Sequence, residues 1–332
     1  MNATDFHQVV LNASNTSFKD NSTLSTEGVT KWSLVPVFYL VTSVIGFIGN
    51  GVILLVFKSD RTLRQKYPAF NVYVVNLLFA NLCCILFIYP MSIISNVHLV
   101  RWSMSEQACS LYLYSNDIFE GVVLNNHAII AGIRVWAIVH PISYRHFHTV
   151  RVALVTCIGL WIYIHLLILP RLVMDAAYYR RPVATLGCMI NMNVPVQRAL
   201  SLAEYFIGYL APSVVILLAF PTILFAKLNG DLHLESTRIE RQSTQIVVEA
   251  KRKGRYIMLA TLTVSVTVCW TPSLVYYALV YFRENFWVST FYQVAIVLFT
   301  CQTMLDPVLF ILTFNRIWEA LKRLCTPSTG RR

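Results

Sequence analysis

Six long stretches of this 332-residue chain contain no charged residue. They cover residues 32–57, 67–100, 152–170, 205–226, 256–282 and 285–305. Each is close to or above the roughly 20 residues with which a helix crosses a bilayer core. A seventh apolar segment, about 107–138, carries only Asp117, Glu120 and Arg134 as charged residues. Because only helices and closed barrels span membranes, and these runs are too long for barrel strands, the pattern predicts an all-α membrane protein, a bundle of seven transmembrane helices.

The composition agrees with an apolar environment. The chain is 56% hydrophobic and 13% charged, whereas soluble domains have about 45–50% apolar and about 25% charged residues. We predict three parts: an extracellular N-terminus over 1–33, a seven-helix domain over 34–313, and an amphipathic helix with a short cytoplasmic tail over 314–332. No internal repeat is apparent.

Positive charge predicts the orientation of the bundle. Of the 27 lysines and arginines, 18 fall on the side that holds the C-terminal tail and 8 on the other side. Since cytoplasmic loops of membrane proteins carry the excess of Lys and Arg, the tail is expected inside and the N-terminus outside. The net charge of +11 therefore indicates contact with a membrane surface, and no nucleic-acid partner is expected.

Residues 1–30 are polar and contain four sequons of the Asn-x-Ser/Thr type, at Asn2, Asn12, Asn15 and Asn21. Four sequons on the side predicted to be extracellular favour glycosylation of these asparagines. Among the eight cysteines, only Cys109 and Cys188 are expected on the same oxidising side. The topology therefore predicts a disulfide between them; the alternative of two free thiols is disfavoured outside the cell.

The chain after the seventh span has helical spacing of its apolar residues. In FNRIWEALKRLC, residues 314–325, the apolar positions are 314, 317, 318, 321 and 324, with Lys322 and Arg323 beside them. This pattern predicts a short amphipathic eighth helix on the inner membrane surface. Cys325 at its end is a candidate for palmitoylation, with a plain cytosolic thiol as the equal alternative.

Each predicted span contains one or two short motifs of its own, and these follow one another along the chain. They are Gly49-Asn50, Leu78-Phe79-Ala80-Asn81, Trp102 with Cys109, Arg134, Trp161, Pro212, Cys269-Trp270-Thr271-Pro272 and Asp306-Pro307-Val308-Leu309-Phe310. In this order the chain resembles the rhodopsin-like (class A) G-protein-coupled receptors over roughly residues 34–325. The resemblance implies a plasma-membrane receptor that binds an extracellular ligand and moves its sixth helix outward to engage a heterotrimeric G protein, with arrestin as a further partner.

The resemblance also assigns roles to individual residues. It implies that Arg134 contacts the G protein, and that coupling and activation depend on Asn50, Asn81, Arg134, Trp270, Pro272, Asp306, Pro307 and Phe310. Arg134 lies 25 residues after Cys109, a helical distance of roughly 37 Å. If Cys109 is at the outer face, Arg134 therefore reaches the cytoplasmic mouth of the bundle. The alternative, that Arg134 is only a base marking the helix end, is weakened by this spacing.

Several positions depart from the family pattern. Ile133 and Val135 flank Arg134 where the family usually has Asp and Tyr, so the intrahelical salt bridge to Arg134 cannot form. Arg252 replaces an acid at the inner end of span six, with Glu249 one turn earlier as a substitute. In span two, Asn81 stands where the family usually has an acid. In span seven, Asp306 stands where the family usually has Asn. We predict a loosely restrained resting state, and a non-coupling or decoy receptor is the rival interpretation.

Three acids and an amide in the outer halves of spans three and five are the candidate ligand contacts. Asn116 stands where amine receptors of the family have Asp, whereas Asp117, Glu120 and Glu204 are additional acids. Intramembrane acids rarely face lipid, and with Trp270 beneath them they predict a cationic ligand, a basic peptide or an unusual amine. The alternative is that Glu120 and Glu204 are neutral, or are paired with His127, His165 or a loop arginine, Arg171.

Other classes of protein are disfavoured. A transporter would show paired repeats and broken helices, and an intramembrane enzyme would need a nucleophile–base pair or metal ligands. His127 and His165 stand isolated in the sequence, and no CxxC or His/Cys cluster indicates a metal. Span seven contains no lysine for a retinal Schiff base. We therefore expect no enzymatic activity, no metal and no cofactor.

Overall fold

The computed structural model describes residues 34–66, 68–97, 102–235, 242–282, 289–313 and 315–325. Within these residues, seven helices are long and apolar enough to cross a membrane, which confirms the predicted seven-helix bundle. They are α1 (Leu34–Ser59), α2 (Pro68–Val97), α3 (Glu106–Val139), α4 (Val150–Tyr179), α5 (195–235), α6 (Gln242–Phe282) and α7 (Ser289–Thr313). Shorter helices cover Arg61–Lys66, Pro141–Phe147 and Val183–Leu186. The predicted glycosylation sites at Asn2, Asn12, Asn15 and Asn21 lie outside the described residues.

The helices α4 and α5 extend well beyond their uncharged runs. The run ending at residue 170 predicted the end of α4, yet α4 continues through Arg171 to Tyr179. The prediction that Arg171 lies in a loop is therefore wrong: Arg171 is helical and 6% exposed. Likewise α5 begins at Pro195, ten residues before the apolar run at 205. A sequence run ends at the first charge, whereas a helix can continue wherever that charge has a partner inside the bundle.

Prolines within α2 and α5 are each preceded by a wider π-helical turn. Cys84–Ile88 precedes Pro90, and Tyr205–Leu210 precedes Pro212. A proline lacks an N–H, and its ring clashes with the carbonyl four residues earlier. That carbonyl falls inside the π-helical turn in both helices, so the wider turn accommodates the proline without ending the helix.

The helix α3 lies at the centre of the bundle. It packs against α2, α4, α5 and α6, whereas α1 packs against α2 and α7, and α6 against α7. The side chain of Ser105 caps the start of α3 by accepting a hydrogen bond from the Ala108 amide at 3.2 Å. Because α3 contacts most of the bundle, groups on α3 can join sites near its outer end to sites near its inner end.

Close approach of α1 to its neighbours depends on two glycines. A Cβ atom at Gly49 would lie 2.8 Å from Cγ of Pro307 in α7. A Cβ at Gly46 would lie 2.8 Å from Cδ1 of Ile85 in α2. Small residues allow such approach between membrane helices, and here they bring Asn50 within reach of α2 and α7.

The outer end of α3 is covalently tied to the loop after α4. The predicted disulfide between Cys109 and Cys188 is present, with a Cα–Cα distance of 5.6 Å. Arg180 reinforces this connection, because its guanidinium binds Asp175 at 2.5 Å and donates to the Ser110 hydroxyl at 2.6 Å. These contacts fix the loop against the outer end of α3.

The eighth helix, α8 (Asn315–Cys325), is amphipathic as predicted. Ile317 and Ala320 are buried, whereas Trp318 is 45% exposed. Arg323 binds the Asp60 carboxylate after α1 at 2.6 Å. Partial burial raises the pKa of Asp60, but hydrogen bonds from the Leu63 amide and Arg323 outweigh it and hold that pKa below its ordinary value. The side chain of Cys325 lies outside the described part, so its palmitoylation stays a prediction.

Candidate functional site in the core of the helix bundle

Two of the three predicted pocket acids share one buried arginine. Nε of Arg171 donates to Oε2 of Glu204 at 2.7 Å, and its terminal nitrogen binds Oδ2 of Asp117. Arg171 and Glu204 are 6% and 5% exposed. Of the alternatives left open for Glu204, the structure thus shows pairing with Arg171. Asn116 completes the arrangement by donating to Oδ1 of Asp117 at 3.1 Å.

This triad of Asp117, Arg171 and Glu204 joins three helices near the outer side of the bundle. Asp117 lies on α3, Arg171 on α4 and Glu204 on α5. Buried charges are stable when paired and hydrogen-bonded. One guanidinium hydrogen-bonds to both carboxylates here, so the triad contains a cation of its own that contacts Asp117 and Glu204.

Glu120, the third predicted acid, lies in a different environment. It lines a cavity together with Cys84, Tyr89, Val123, Trp270, Phe299, Gln302 and Thr303. Among the described residues, Glu120 has no hydrogen-bond or ion-pair partner. The ring of Trp270 packs edge-on against Phe299 with centroids 4.4 Å apart. The predicted positions of Glu120 and Trp270 therefore meet in one cavity, from which Arg171 is absent.

A network of buried polar side chains lies directly beneath this cavity. Asn81 donates to Oδ2 of Asp306 at 2.8 Å and to Oδ1 of Asn50 at 3.2 Å. Asn50 in turn donates to the Thr303 carbonyl at 2.9 Å. Asn50, Asn81 and Asp306 are each 0% exposed. This polar centre joins α1, α2 and α7, as expected from the exchange of acid and amide between positions 81 and 306.

Two members of the polar centre were not predicted from the sequence. Nε2 of His127 lies 3.2 Å from Oδ2 of Asp306, and Gln302 donates to Oδ1 of the same carboxylate. His127 is therefore not isolated, and it adds α3 to the cluster. It lies seven residues before Arg134 on α3 and hence on about the same helical face, which is the signal that could have identified it. The other histidine, His165, bonds Tyr114 at 3.0 Å.

The inner end of α3 carries Arg134. Its guanidinium carbon lies 4.0 Å from the centre of the Phe70 ring of α2, a cation–π contact. Ile133, at the position of the family's Asp, is buried. The structure thus shows Arg134 at the end of α3 against an aromatic ring, with no carboxylate at position 133. The side chains of Glu249 and Arg252 lie outside the described part of the chain.

An aromatic cluster supports the short helix after α3. His148 stacks on Tyr144 with ring centroids 4.5 Å apart and on Tyr73 of α2 at 5.8 Å. Trp136 packs edge-on against Tyr144 at 5.6 Å. Burial lowers the pKa of His148, which favours the neutral ring that stacks as an uncharged aromatic.

The bundle has seven spanning helices, a disulfide at the outer end of α3, a tryptophan above a buried polar centre, and an arginine near the other end of α3. These features define a membrane receptor of the seven-helix class. Residues 49–310 match the profile of the 7 transmembrane receptor (rhodopsin family). The chain belongs to this family, whose members are receptors and not enzymes.

Three related receptors show the breadth of the similarity. The chain is 26% identical over 260 residues to the neuropeptide CCHamide-1 receptor of Drosophila melanogaster, covering 75% of this chain and 50% of that receptor. It is 26% identical over 285 residues to proteinase-activated receptor 2 of Bos taurus, covering 83% and 68%. It is 28% identical over 197 residues to cysteinyl leukotriene receptor 1 of Mus musculus, covering 58% and 54%. The chain thus spans about half the length of the first and third of these relatives.

Proposed function

We propose that this protein is a plasma-membrane receptor with its N-terminus outside and its C-terminus in the cytoplasm, which transmits binding of an extracellular cationic ligand to a heterotrimeric G protein. Arrestin binding at the same cytoplasmic face is part of this proposal. The three relatives are named for a neuropeptide, a proteinase and a leukotriene, so their names do not single out one ligand class. The ligand class is therefore argued from the pocket.

The observation that carries the proposal is a continuous set of contacts from the cavity to the inner half of α3. Gln302 and Thr303 line the cavity that contains Glu120. Gln302 also binds Asp306, which contacts His127 at 3.2 Å. His127 lies on α3 two turns above Arg134. A ligand that repositions Gln302 would therefore alter the contact between α7 and the helix that bears Arg134.

The sixth helix is coupled to the same residue. Ser265 of α6 donates to Oε1 of Gln302 at 3.2 Å. Trp270, two residues before Pro272 in α6, lines the cavity. A change at the cavity can thus alter the hydrogen bond between Ser265 of α6 and Gln302 of α7. This supports an outward movement of α6 as the step that admits the G protein beside Arg134.

The distribution of acids supports a cationic ligand. Arg171 satisfies Asp117 and Glu204, whereas Glu120 has no partner among the described residues. An ionised carboxylate in an apolar environment is costly unless it is paired. A cationic group of the ligand would remove this cost, so we assign the ligand contact to Glu120 and Trp270, with Asn116, Asp117 and Glu204 forming the adjoining wall.

The environment of Arg134 predicts measurable signalling without ligand. Ile133→Asp would place a carboxylate next to Arg134, and we expect it to lower basal G-protein activation several-fold. A surface-type pair is worth about 0.2–1 kcal/mol, and a partly buried one more, so an effect of about 2–10-fold is expected. Nucleotide exchange in membranes, normalised to surface expression, is the measurement.

Ile133→Asn is the matched control because it changes the polarity and shape of position 133 without adding charge. We expect its basal activity to stay close to that of the wild type. A wild type as silent as Ile133→Asp, with no response to any G-protein class, would contradict the proposal. That result would favour the non-coupling or decoy receptor that Ile133 and Val135 suggest.

A further inference from the structure

The short helix between α3 and α4 cannot hold itself in place. It covers Pro141–Phe147, seven residues, and none of them is buried. The residue before it, His140, makes no side-chain hydrogen bond to its first turn. Isolated helices of fewer than about 12 residues are marginal in water. The position of this helix therefore depends on contacts with the residues around it.

The ring of His148, the residue after this helix, joins the helix to α2. It stacks on Tyr144 of the short helix with centroids 4.5 Å apart and an interplanar angle of 22°. It also stacks on Tyr73 of α2 at 5.8 Å and 11°. Tyr73 is 1% exposed, so the stack ends on a buried side chain of the bundle. The His148 amide also closes the helix by donating to the Tyr144 carbonyl at 3.0 Å.

A tryptophan of α3 adds a third element to these contacts. The Trp136 ring packs edge-on against Tyr144 at 5.6 Å and against His148 at 6.3 Å. Its indole N–H donates to the Ser143 hydroxyl at 3.3 Å. Aromatic pairs in such geometries contribute more than their buried area alone. His148 therefore contacts one ring on each of three elements, namely α2, α3 and the short helix.

The structure favours an uncharged His148 ring. Its Nε2 atom is buried and has no hydrogen-bond partner among the described residues. Burial, rather than a neighbouring charge, lowers the pKa of His148. The titratable side chains that face the ring are Tyr144 and Tyr73, with Cys157 of α4 beyond Tyr73, whereas Trp136 does not titrate. An added proton would place an uncompensated charge at this buried ring, which costs free energy.

We propose that His148 is a positioning residue for G-protein coupling, whose neutral ring docks the short helix Pro141–Phe147 against α2 and α3. This inference rests on the proposed function, because the short helix directly follows α3 and so shares the cytoplasmic face with Arg134. Ile142 and Phe147 on this helix are 86% and 59% exposed. Docking of the helix by the rings fixes the direction in which these two apolar side chains point toward a partner.

Hydrogen exchange of backbone amides in the purified full-length receptor tests the docking without a G protein. At neutral pH, His148→Ala should speed exchange of the amides of residues 144–148 by roughly 3–10-fold, because the stacked ring no longer holds the helix. His148→Phe keeps a neutral ring and should keep wild-type protection. Tyr144→Leu removes the partner ring and should match His148→Ala, so it serves as the test if His148→Ala does not fold. His146→Ala is the matched control, since His146 lies on the same helix and is exposed.

The charge state of His148 gives a measurement that packing alone would not change. Because burial lowers the pKa of His148, docking is present above the ordinary histidine pKa of about 6.5 and is lost as pH falls through the folded-state value. The exchange rate of the wild type divided by that of His148→Phe should be near one at about pH 7.5 and rise several-fold toward about pH 5. His140 and His146 titrate in both proteins, and intrinsic exchange depends on pH equally in both, so neither changes the ratio.

Nucleotide exchange by reconstituted G proteins at neutral pH tests the consequence for coupling. His148→Ala should activate several-fold less than the wild type, and His148→Phe should match the wild type. Unchanged amide protection in His148→Ala or Tyr144→Leu, a rate ratio that does not vary with pH, or full coupling by His148→Ala would overturn the inference. A receptor that activates no G protein but shows the expected pattern of amide exchange would overturn the proposed function and leave the docking role of His148 in place.

Discussion

Replacing Arg171 with methionine is expected to lower the free energy of unfolding by about 3–5 kcal/mol, the usual cost of removing one partner from a buried ion pair. The methionine fills the space of the side-chain stem but leaves the carboxylates of Asp117 and Glu204 without a cation. Arg171 binds Glu204 at 2.7 Å and is 6% exposed, so water cannot replace the lost contacts. Thermal unfolding of the purified receptor should show a Tm lower by roughly 10 °C.

The matched control removes the charge of all three residues. Arg171→Met combined with Asp117→Asn and Glu204→Gln should recover most of the lost stability, because neutral amides are cheaper to bury than carboxylates. A triple variant no more stable than Arg171→Met, or a single variant as stable as the wild type, would contradict the ion-triad interpretation.

Replacing Asp306 with leucine should destabilise the receptor by a similar amount. Three donors on α2, α3 and α7 bind its carboxylate, from Asn81, His127 and Gln302. A buried donor left without an acceptor costs about 1–3 kcal/mol, so a loss of roughly 3–5 kcal/mol is expected. Surface expression and Tm are the measurements, and ligand-independent signalling should change with them because the link to His127 is lost.

Two further variants distinguish the charge from the hydrogen bonds. Asp306→Asn keeps one acceptor oxygen and should lose about half as much stability. Asn81→Asp in the Asp306→Asn background returns the acid to α2 and restores an acid–amide bond between positions 81 and 306, and it should regain part of the loss. If Asp306→Leu proves as stable as wild type, the polar centre is not a structural element of the bundle.

The seven spans, the disulfide and the eighth helix could be predicted because each depends on local or topological physics. Span length follows from bilayer thickness, and the Cys109–Cys188 pair follows from which cysteines face the oxidising side. The spacing of apolar residues after α7 predicts α8. None of these features requires knowledge of which side chains meet between helices.

The ion triad and the His127 contact could not be predicted because they depend on the relative rotation of helices. Arg171 is the first charged residue after an uncharged run. The sequence alone does not show whether such a residue ends the helix or continues it. Only the packing of α4 against α3 and α5 shows that two carboxylates meet it. Similarly, His127 has no acid near it in the chain, and Asp306 lies 179 residues away.

Nucleotide exchange by purified G proteins tests the central claim, that a change at the Glu120 cavity reaches Arg134 and a G protein. The receptor would be reconstituted in lipid nanodiscs with heterotrimers of each G-protein class. The account predicts that the wild type accelerates exchange by at least one class over empty nanodiscs, and that Arg134→Leu and Gln302→Leu each lose this acceleration. Exchange no faster than with empty nanodiscs, or full activity in Arg134→Leu, would contradict it.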